Sequence, residues 1–177
     1  MSYHNEALDA IFERKSVRKF IDKKIENDKL ELLLKAGMAA PSALNHQPWK
    51  FILVDDRKLL DQLADKLPYA KMLSSAKAAI LVCGDIEKAL QDWEQDFWIQ
   101  DCSAATENIL VAAQALGLGA VWTALYPSID RVNIARVILN IPENIMPLNV
   151  IPIGYPTGKE KPIDKWDASN IHYNSWD

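Results

Sequence analysis

The chain has 177 residues, 49% of them hydrophobic, which is enough for one domain with a sizeable core that needs neither metal nor disulfide. Its 20 Lys and Arg against 24 Asp and Glu give a net charge of −4 with the bases scattered, so the long-range attraction that nucleic acid requires is missing. The start, Met1-Ser2-Tyr3-His4-Asn5-Glu6, lacks the basic and apolar segments of a signal peptide, and no apolar run approaches the ~18 residues of a membrane span. A soluble cytoplasmic protein with no nucleic-acid or membrane partner is expected.

Residues 5–13 carry Leu8, Ile11 and Phe12 on one helical face, and residues 27–39 carry Leu30, Leu33, Leu34 and Met38, with Asn27 as the expected N-cap. Residues 49–54 and 78–83 are short apolar runs with strand character, separated by a helix over 56–66. The longest helix is expected from about Trp93 to Leu116. There Cys102, Ala105, Ile109, Ala112 and Leu116 recur at steps of three and four, and Gly117 supplies a stop. Its small residues permit close approach of another helix, within the core or from a partner subunit. A strand over 120–125, a helix over 128–139 entered after Pro127, and a strand over 149–153 complete the pattern. No repeat or linker divides it, so residues 1–177 read as one α+β domain. The tail beyond Gly154 has little helical character, and its Trp166, Tyr173 and Trp176 need a surface to cover, on this chain or on another.

Three segments carry candidate chemistry. Arg14, Lys15, Arg18 and Lys19 surround Ser16, a set of forked and point cations plus a hydroxyl that suits a phosphate, although such a cluster also serves as a solvated face. Pro41 and Pro48 bracket Ser42, Asn45 and Gln47, stiffening a loop whose amides and hydroxyl stay free to hydrogen-bond, while Trp49 anchors it by burial. Gly117-Leu-Gly-Ala-Val-Trp-Thr123 leads into the third apolar run. Cys83 and Cys102 sit in apolar contexts without a CxxC pair and read as small buried hydrophobes, and His4, His46 and His172 are too far apart for a zinc site, so no metal is expected. Gly154-Tyr-Pro-Thr-Gly158-Lys159-Glu160 fails as a P-loop, having the wrong glycine spacing and Glu160 where Ser or Thr is needed. GxSxG and GxGxxG are both absent, which argues against a triad hydrolase and against a Rossmann crevice.

Together, Arg14–Phe20, Ala40–Val54 and Gly117–Thr123 closely resemble the corresponding segments of the FMN-dependent nitroreductase family, and the resemblance runs from Ala10 to Trp176. It implies a three-layer α/β/α fold, a homodimer with FMN at its interface, and a C-terminal extension that reaches the partner subunit. Arg14, Lys15, Ser16 and Arg18 would hold the FMN phosphate and ribityl chain, with Arg18 near the pyrimidine edge. Pro41, Ser42, Ala43, Asn45 and Gln47 would reach the flavin from the neighbouring subunit. Lys71 matches a lysine near N1 and O2, where a cation stabilises negative charge. A backbone N–H in Thr123-Ala124-Leu125 would face N5. Many family members carry Glu-Gly where Ala124-Leu125 stand, which alters substrate choice but leaves a backbone role intact. Lys161 and Lys165 match, loosely, a late basic pair at the phosphate.

The implied reaction is ping-pong: NAD(P)H gives hydride to the flavin, the nicotinamide leaves, and an electron-poor acceptor such as a nitroaromatic or quinone takes its place, with no side chain required as acid or base. The alternatives are another flavin reaction on the same fold, such as dehalogenation, dehydrogenation or flavin breakdown, or a flavin-binding module without turnover. The interval 85–99 leaves little room for a long lid. Trp93, Phe97 and Trp98 are candidates for a partial aromatic cover, with helix-face core as the competing role.

Overall fold

The structure, a computed structural model, describes residues 5–176; His4 and the rest of the first four residues, like Asp177, lie outside the described residues. Five strands form one antiparallel sheet: β1 (Trp49–Val54), β2 (Ala78–Asp85), β3 (Gly119–Ala120), β4 (Thr123–Ala124) and β5 (Ile145–Gly154). Their order is β1-β2-β5-β3, with β4 also paired to β5. β2 is buried from Ala78 to Gly84 because it serves two cores at once. Ile80 and Val82 meet α2 (Asn27–Met38) and α4 (Phe97–Ala115) on one face, whereas Ala79, Leu81 and Cys83 meet α3 (Arg57–Lys66) and α5 (Ile129–Leu139) on the other. The expected three-layer α/β/α arrangement is therefore present. Each fully buried Leu or Ile on these faces contributes about 1.5–3 kcal/mol.

The small-residue stripe of α4 packs inside its own chain. A Cβ on Gly37 of α2 would lie 3.0 Å from Ile109 Cδ1, so the two helices are as close as glycine allows. α1 (Glu6–Glu13) is capped by Asn5, whose side chain accepts from the N–H groups of Ala7 and Leu8, yet none of its residues is buried. Its expected apolar face is out in the open, with Ile11 49% and Phe12 68% exposed.

Four local expectations need correction. The residue capping α2 is Glu26, without a side-chain bond, and Asn27 is already helical. α4 begins at Phe97, four residues later than expected, because Asp92–Glu94 forms a separate 3-10 turn entered through a positive φ at Asp92. Met38 of α2 is 56% exposed rather than packed. The single strand over 120–125 is interrupted: Ala120 pairs with Ile153 and Thr123 with Val150 in one register, but Val121 stands opposite Pro152. The carbonyl of Ile153 accepts from Lys77 on the β2 side, so by alternation Pro152 directs its missing N–H toward β3 and β4. The second irregularity, a register shift between Val82 and Cys83, lies opposite Pro147 of the same strand.

Candidate functional site

The segment from Arg14 to Phe20 is stitched to the open edge of the sheet and to the first residues of the tail. Val17 N–H donates to the Ala120 carbonyl at 3.0 Å, Ile21 N–H to Tyr155 at 2.9 Å, and Thr157 N–H to Lys19 at 3.3 Å. The seam works because Gly119 and Gly154 face each other across β3 and β5. A Cβ on Gly119 would come within 2.6 Å of Val17 Cγ1, and one on Gly154 within 2.8 Å of the Phe20 ring. Two glycines thus form the floor on which Val17 and Phe20 rest, turning the residues between and beside them outward.

Those residues line a cleft of about 390 Å³ formed by Arg14, Lys15, Ser16, Arg18, Glu160, Lys161, Ile163 and Lys165. The structure therefore brings together six residues proposed for the phosphate, and both tail lysines reach it. Two are oriented by α4: Arg14 Nε donates to Glu107 Oε1 at 3.0 Å, and Lys15 Nζ donates to Gln114 Oε1 at 3.4 Å. Lys19 is exposed and lies outside the lining. Glu160 is an acid that sequence reading did not place here, and one of its buried carboxylate oxygens has no hydrogen-bond partner. Five cations, a hydroxyl and one unpartnered acceptor suit a phosphate joined to a hydroxyl-rich chain.

The second group is elsewhere. The loop between Pro41 and Pro48 is held at the far end of the sheet, where Asp85 N–H donates to Pro48 and Trp49 pairs with Gly84. Leu44, Asn45 and Gln47 all have positive φ, near 50°. The loop bonds partly to itself, which the expectation of free polar groups missed: Ser42 Oγ accepts from Gln47 N–H, and Gln47 Nε2 donates to Asn45 Oδ1, both at 2.9 Å. Its one bond to α4 is from Ala43 N–H to Asp101 Oδ1 at 2.9 Å. Asp101 and Gln114 are thirteen residues apart on one helix, about 20 Å along its axis. Glu107, which holds Arg14, is nearer, six residues or about 9 Å from Asp101, yet no residue of the loop lines the basic cleft of its own chain.

Lys71 is exposed, and its Nζ donates to the Asp65 carbonyl at the end of α3. The residues just before it, Leu67–Ala70, lie against Thr123, Ala124 and Leu125. Thr123 is buried and its hydroxyl donates to the Val150 carbonyl, while Leu125 is buried and its N–H donates to Leu148 at 2.9 Å. Alternation along the antiparallel ladder then leaves Ala124 with its N–H directed away from β5. Trp98 is core, 3% exposed and edge-on to Tyr126 at 5.1 Å, whereas Trp93 is 84% exposed. Both cysteines are buried and free, and burial pushes the Cys83 thiol up to about 12.

The Nitroreductase family model matches residues 11–99 and 64–155. A candidate NADH dehydrogenase/NAD(P)H nitroreductase of Archaeoglobus fulgidus is 43% identical over 97% of this chain and 99% of its own. The chain belongs to the nitroreductase family. A crystal structure of a candidate NADH dehydrogenase/NAD(P)H nitroreductase from Bacteroides thetaiotaomicron superposes with a TM-score of 0.92 at 53% identity, covering 97% of this chain and 99% of that one. A candidate nitroreductase from Desulfovibrio desulfuricans, crystallised with FMN, has a TM-score of 0.82 at 31% identity, covering 98% and 99%. Among the described residues, no helix is long and apolar enough to cross a membrane.

The tail of this nitroreductase family member first runs beside its own α1 without covering it. Ile163 and Trp166 line a groove of about 620 Å³ with Ile11 and Phe12, and Lys165 and Arg14 are shared with the basic cleft. Beyond it, Tyr173 and Trp176 are at least 80% exposed, and His172 stacks on Trp176 with ring centroids 4.2 Å apart. Sequence reading missed Asp101, Glu107 and Gln114. Only Asp101 left a signal, as an acid interrupting the apolar stripe beside Cys102.

Proposed function

We propose that the chain is an FMN-dependent NAD(P)H oxidoreductase that works as a homodimer with two flavin sites shared between subunits. The observation that carries the reading is the cleft in which Arg14, Lys15, Ser16, Arg18, Lys161 and Lys165 converge. When bound there, FMN supplies hydride transfer through N5, from NAD(P)H to an electron-poor acceptor such as a nitroaromatic or a quinone.

The chain's own residues supply placement. Arg14 and Arg18 offer guanidinium forks, and Ser16 a hydroxyl, to the phosphate oxygens, while Glu160 can accept from a ribityl hydroxyl. Ala124 N–H, the donor of its segment that turns away from β5, would be offered to the ring, and Lys71 would stabilise negative charge developing at N1 and O2. Ser42, Ala43, Asn45 and Gln47 would come from the other subunit, since none of them lines the cleft of its own chain. The open apolar face of α1 and the aromatic end of the tail give the two chains surfaces to bury against each other. No side chain need act as acid or base, since the cofactor would carry the bond-making. A cytoplasmic location fits a nicotinamide-dependent reductase of this kind.

Heat release and chromatography of the cofactor test the flavin assignment, with FMN rather than FAD expected. Anaerobic addition of NADH or NADPH to the yellow protein should then bleach the visible flavin band, and a flavin that stays oxidised would mean a binding module. Screening the reduced protein with a nitroaromatic, a quinone and a halogenated phenol separates the nitro- and quinone-reductase reading from dehalogenation.

A further inference from the structure

Asp101 is the strangest residue of α4 on physical grounds. It is a carboxylate 7% exposed, set between the exposed Gln100 and the fully buried Cys102, on a helix whose inward face is otherwise apolar apart from Thr106. Burying an acid there is costly unless it accepts a hydrogen bond that the structure needs. Its Oδ1 accepts from Ala43 N–H at 2.9 Å, and that bond crosses to the one loop of the chain with three positive-φ residues close together. The bonds of Gln47 N–H to Ser42, of Gln47 to Asn45, and of the Asn45 and His46 N–H groups to Ser42 and Ala43 close the loop on itself. His46 adds a second tether through Nδ1 and the Lys88 carbonyl, 3.1 Å apart.

We infer that Asp101 is a positioning residue: through Ala43 N–H it fixes the Ser42–Gln47 loop in the strained shape that presents Ser42, Asn45 and Gln47 to the flavin. The inference rests on the flavin reading given above for its function, but the bond itself does not. Burial raises the Asp101 pKa, while the Ala43 bond and attraction to His46 pull it back. Among the described residues, the titratable groups that bear on it are His46 of the loop and Cys102, its neighbour on α4. An acid whose pKa is raised by burial stabilises the fold while protonated, and that contribution is lost as pH rises through the native pKa. Wherever the carboxyl is ionised it therefore costs the fold stability, and the loop bond is what the chain gains from it. This separates anchoring from a merely structural role.

The test compares the full chain with Asp101→Asn, which keeps an oxygen acceptor and loses the charge, and Asp101→Ala, which loses both. Without flavin, the Ala43 amide resonance should show a pH-dependent step in the wild type as the carboxyl titrates, and that step should be absent from Asp101→Asn, in which His46 is retained as the control. For FMN, followed by fluorescence quenching, the dissociation constant should rise roughly tenfold in Asp101→Ala and by no more than about threefold in Asp101→Asn. The Asn variant should at the same time melt higher than wild type at pH 7. A residue that only supported the fold would lower affinity and melting temperature together. A wild-type Ala43 resonance that ignores pH, or an Asp101→Ala protein that binds FMN as wild type does, overturns the inference. If Asp101→Ala fails to fold, the other two proteins still decide it. If the wild type binds no FMN, the flavin reading falls while the Ala43 titration still reports on the anchor.

Discussion

At the Gly154 end of the sheet, the basic segment is held by backbone bonds and by two glycines that let Val17 and Phe20 lie flat on the strands. At the Trp49 end, the polar loop is bent through positive φ angles, bonded mostly to itself, and joined to α4 by one side chain. The first region is over-determined and the second is poised. A phosphate site needs cations that stay in place, because every oxygen must find its donor. A loop that reaches into another subunit's site needs a fixed shape at its tip but little attachment elsewhere. The separation of the two regions along α4 gives the comparison its functional meaning, and breaking it in trans gives the largest effect.

Arg14→Glu and Ser42→Trp homodimers should each be free of flavin and inactive, one through the cleft and the other through the loop. In the mixed dimer, one site carries both lesions and the other carries neither, so co-expression of differently tagged chains should restore one working site per dimer. Absence of FMN and of NAD(P)H oxidation in the doubly tagged species would return both regions to one subunit.

Within the cleft, Arg14→Ala and Ser16→Ala should weaken FMN binding by about 1.5–3 kcal/mol each, the worth of a hydrogen bond to a charged group. Lys19→Ala should change it little, since Lys19 lies outside the cleft. Titration of the three apoproteins checks this, and equal losses would dissolve the distinction between lining and flank. Gly119→Ala attacks the floor instead. Its methyl would sit 2.6 Å from Val17 Cγ1, so the segment must lift, at about 1–3 kcal/mol of stability. Chemical denaturation and FMN titration should both register the change, whereas Gly117→Ala, with open space around it, should strain only its own positive φ.

The two regions also differ in how far they could be read from the sequence. β1 matches its expected bounds because Pro48 and Asp55 delimit a plain apolar run. The cleft could be anticipated because its residues fall in one short segment plus two lysines of the tail. The break between β3 and β4 could not, since it depends on Pro152 lying opposite Val121, a fact of register and not of local pattern. Glu107 and Gln114 look like ordinary polar positions of a helix until Arg14 and Lys15 are placed beside them. The apolar stripe of α1 was visible, but periodicity says only that a face exists and not what covers it. The loop's self-bonding was hidden for a similar reason, because a list of polar residues does not say whether they turn outward or toward each other.

The smallest expected effect isolates a single backbone group. Ala124 sits on the edge strand with its N–H directed away from β5, so proline at this position removes a donor that the sheet does not use. Ala124→Pro should therefore leave the melting temperature nearly unchanged and keep FMN bound through the cleft, while the rate of flavin bleaching by NADH or NADPH falls about tenfold, equivalent to one ordinary hydrogen bond of roughly 1.4 kcal/mol. Ala124→Ser keeps the N–H and should keep the rate. If the proline variant is reduced as fast as wild type, the donor facing N5 is not Ala124. If it unfolds, the N–H serves the fold, and the alternation inferred from the Thr123–Val150 and Leu125–Leu148 contacts does not hold at this position.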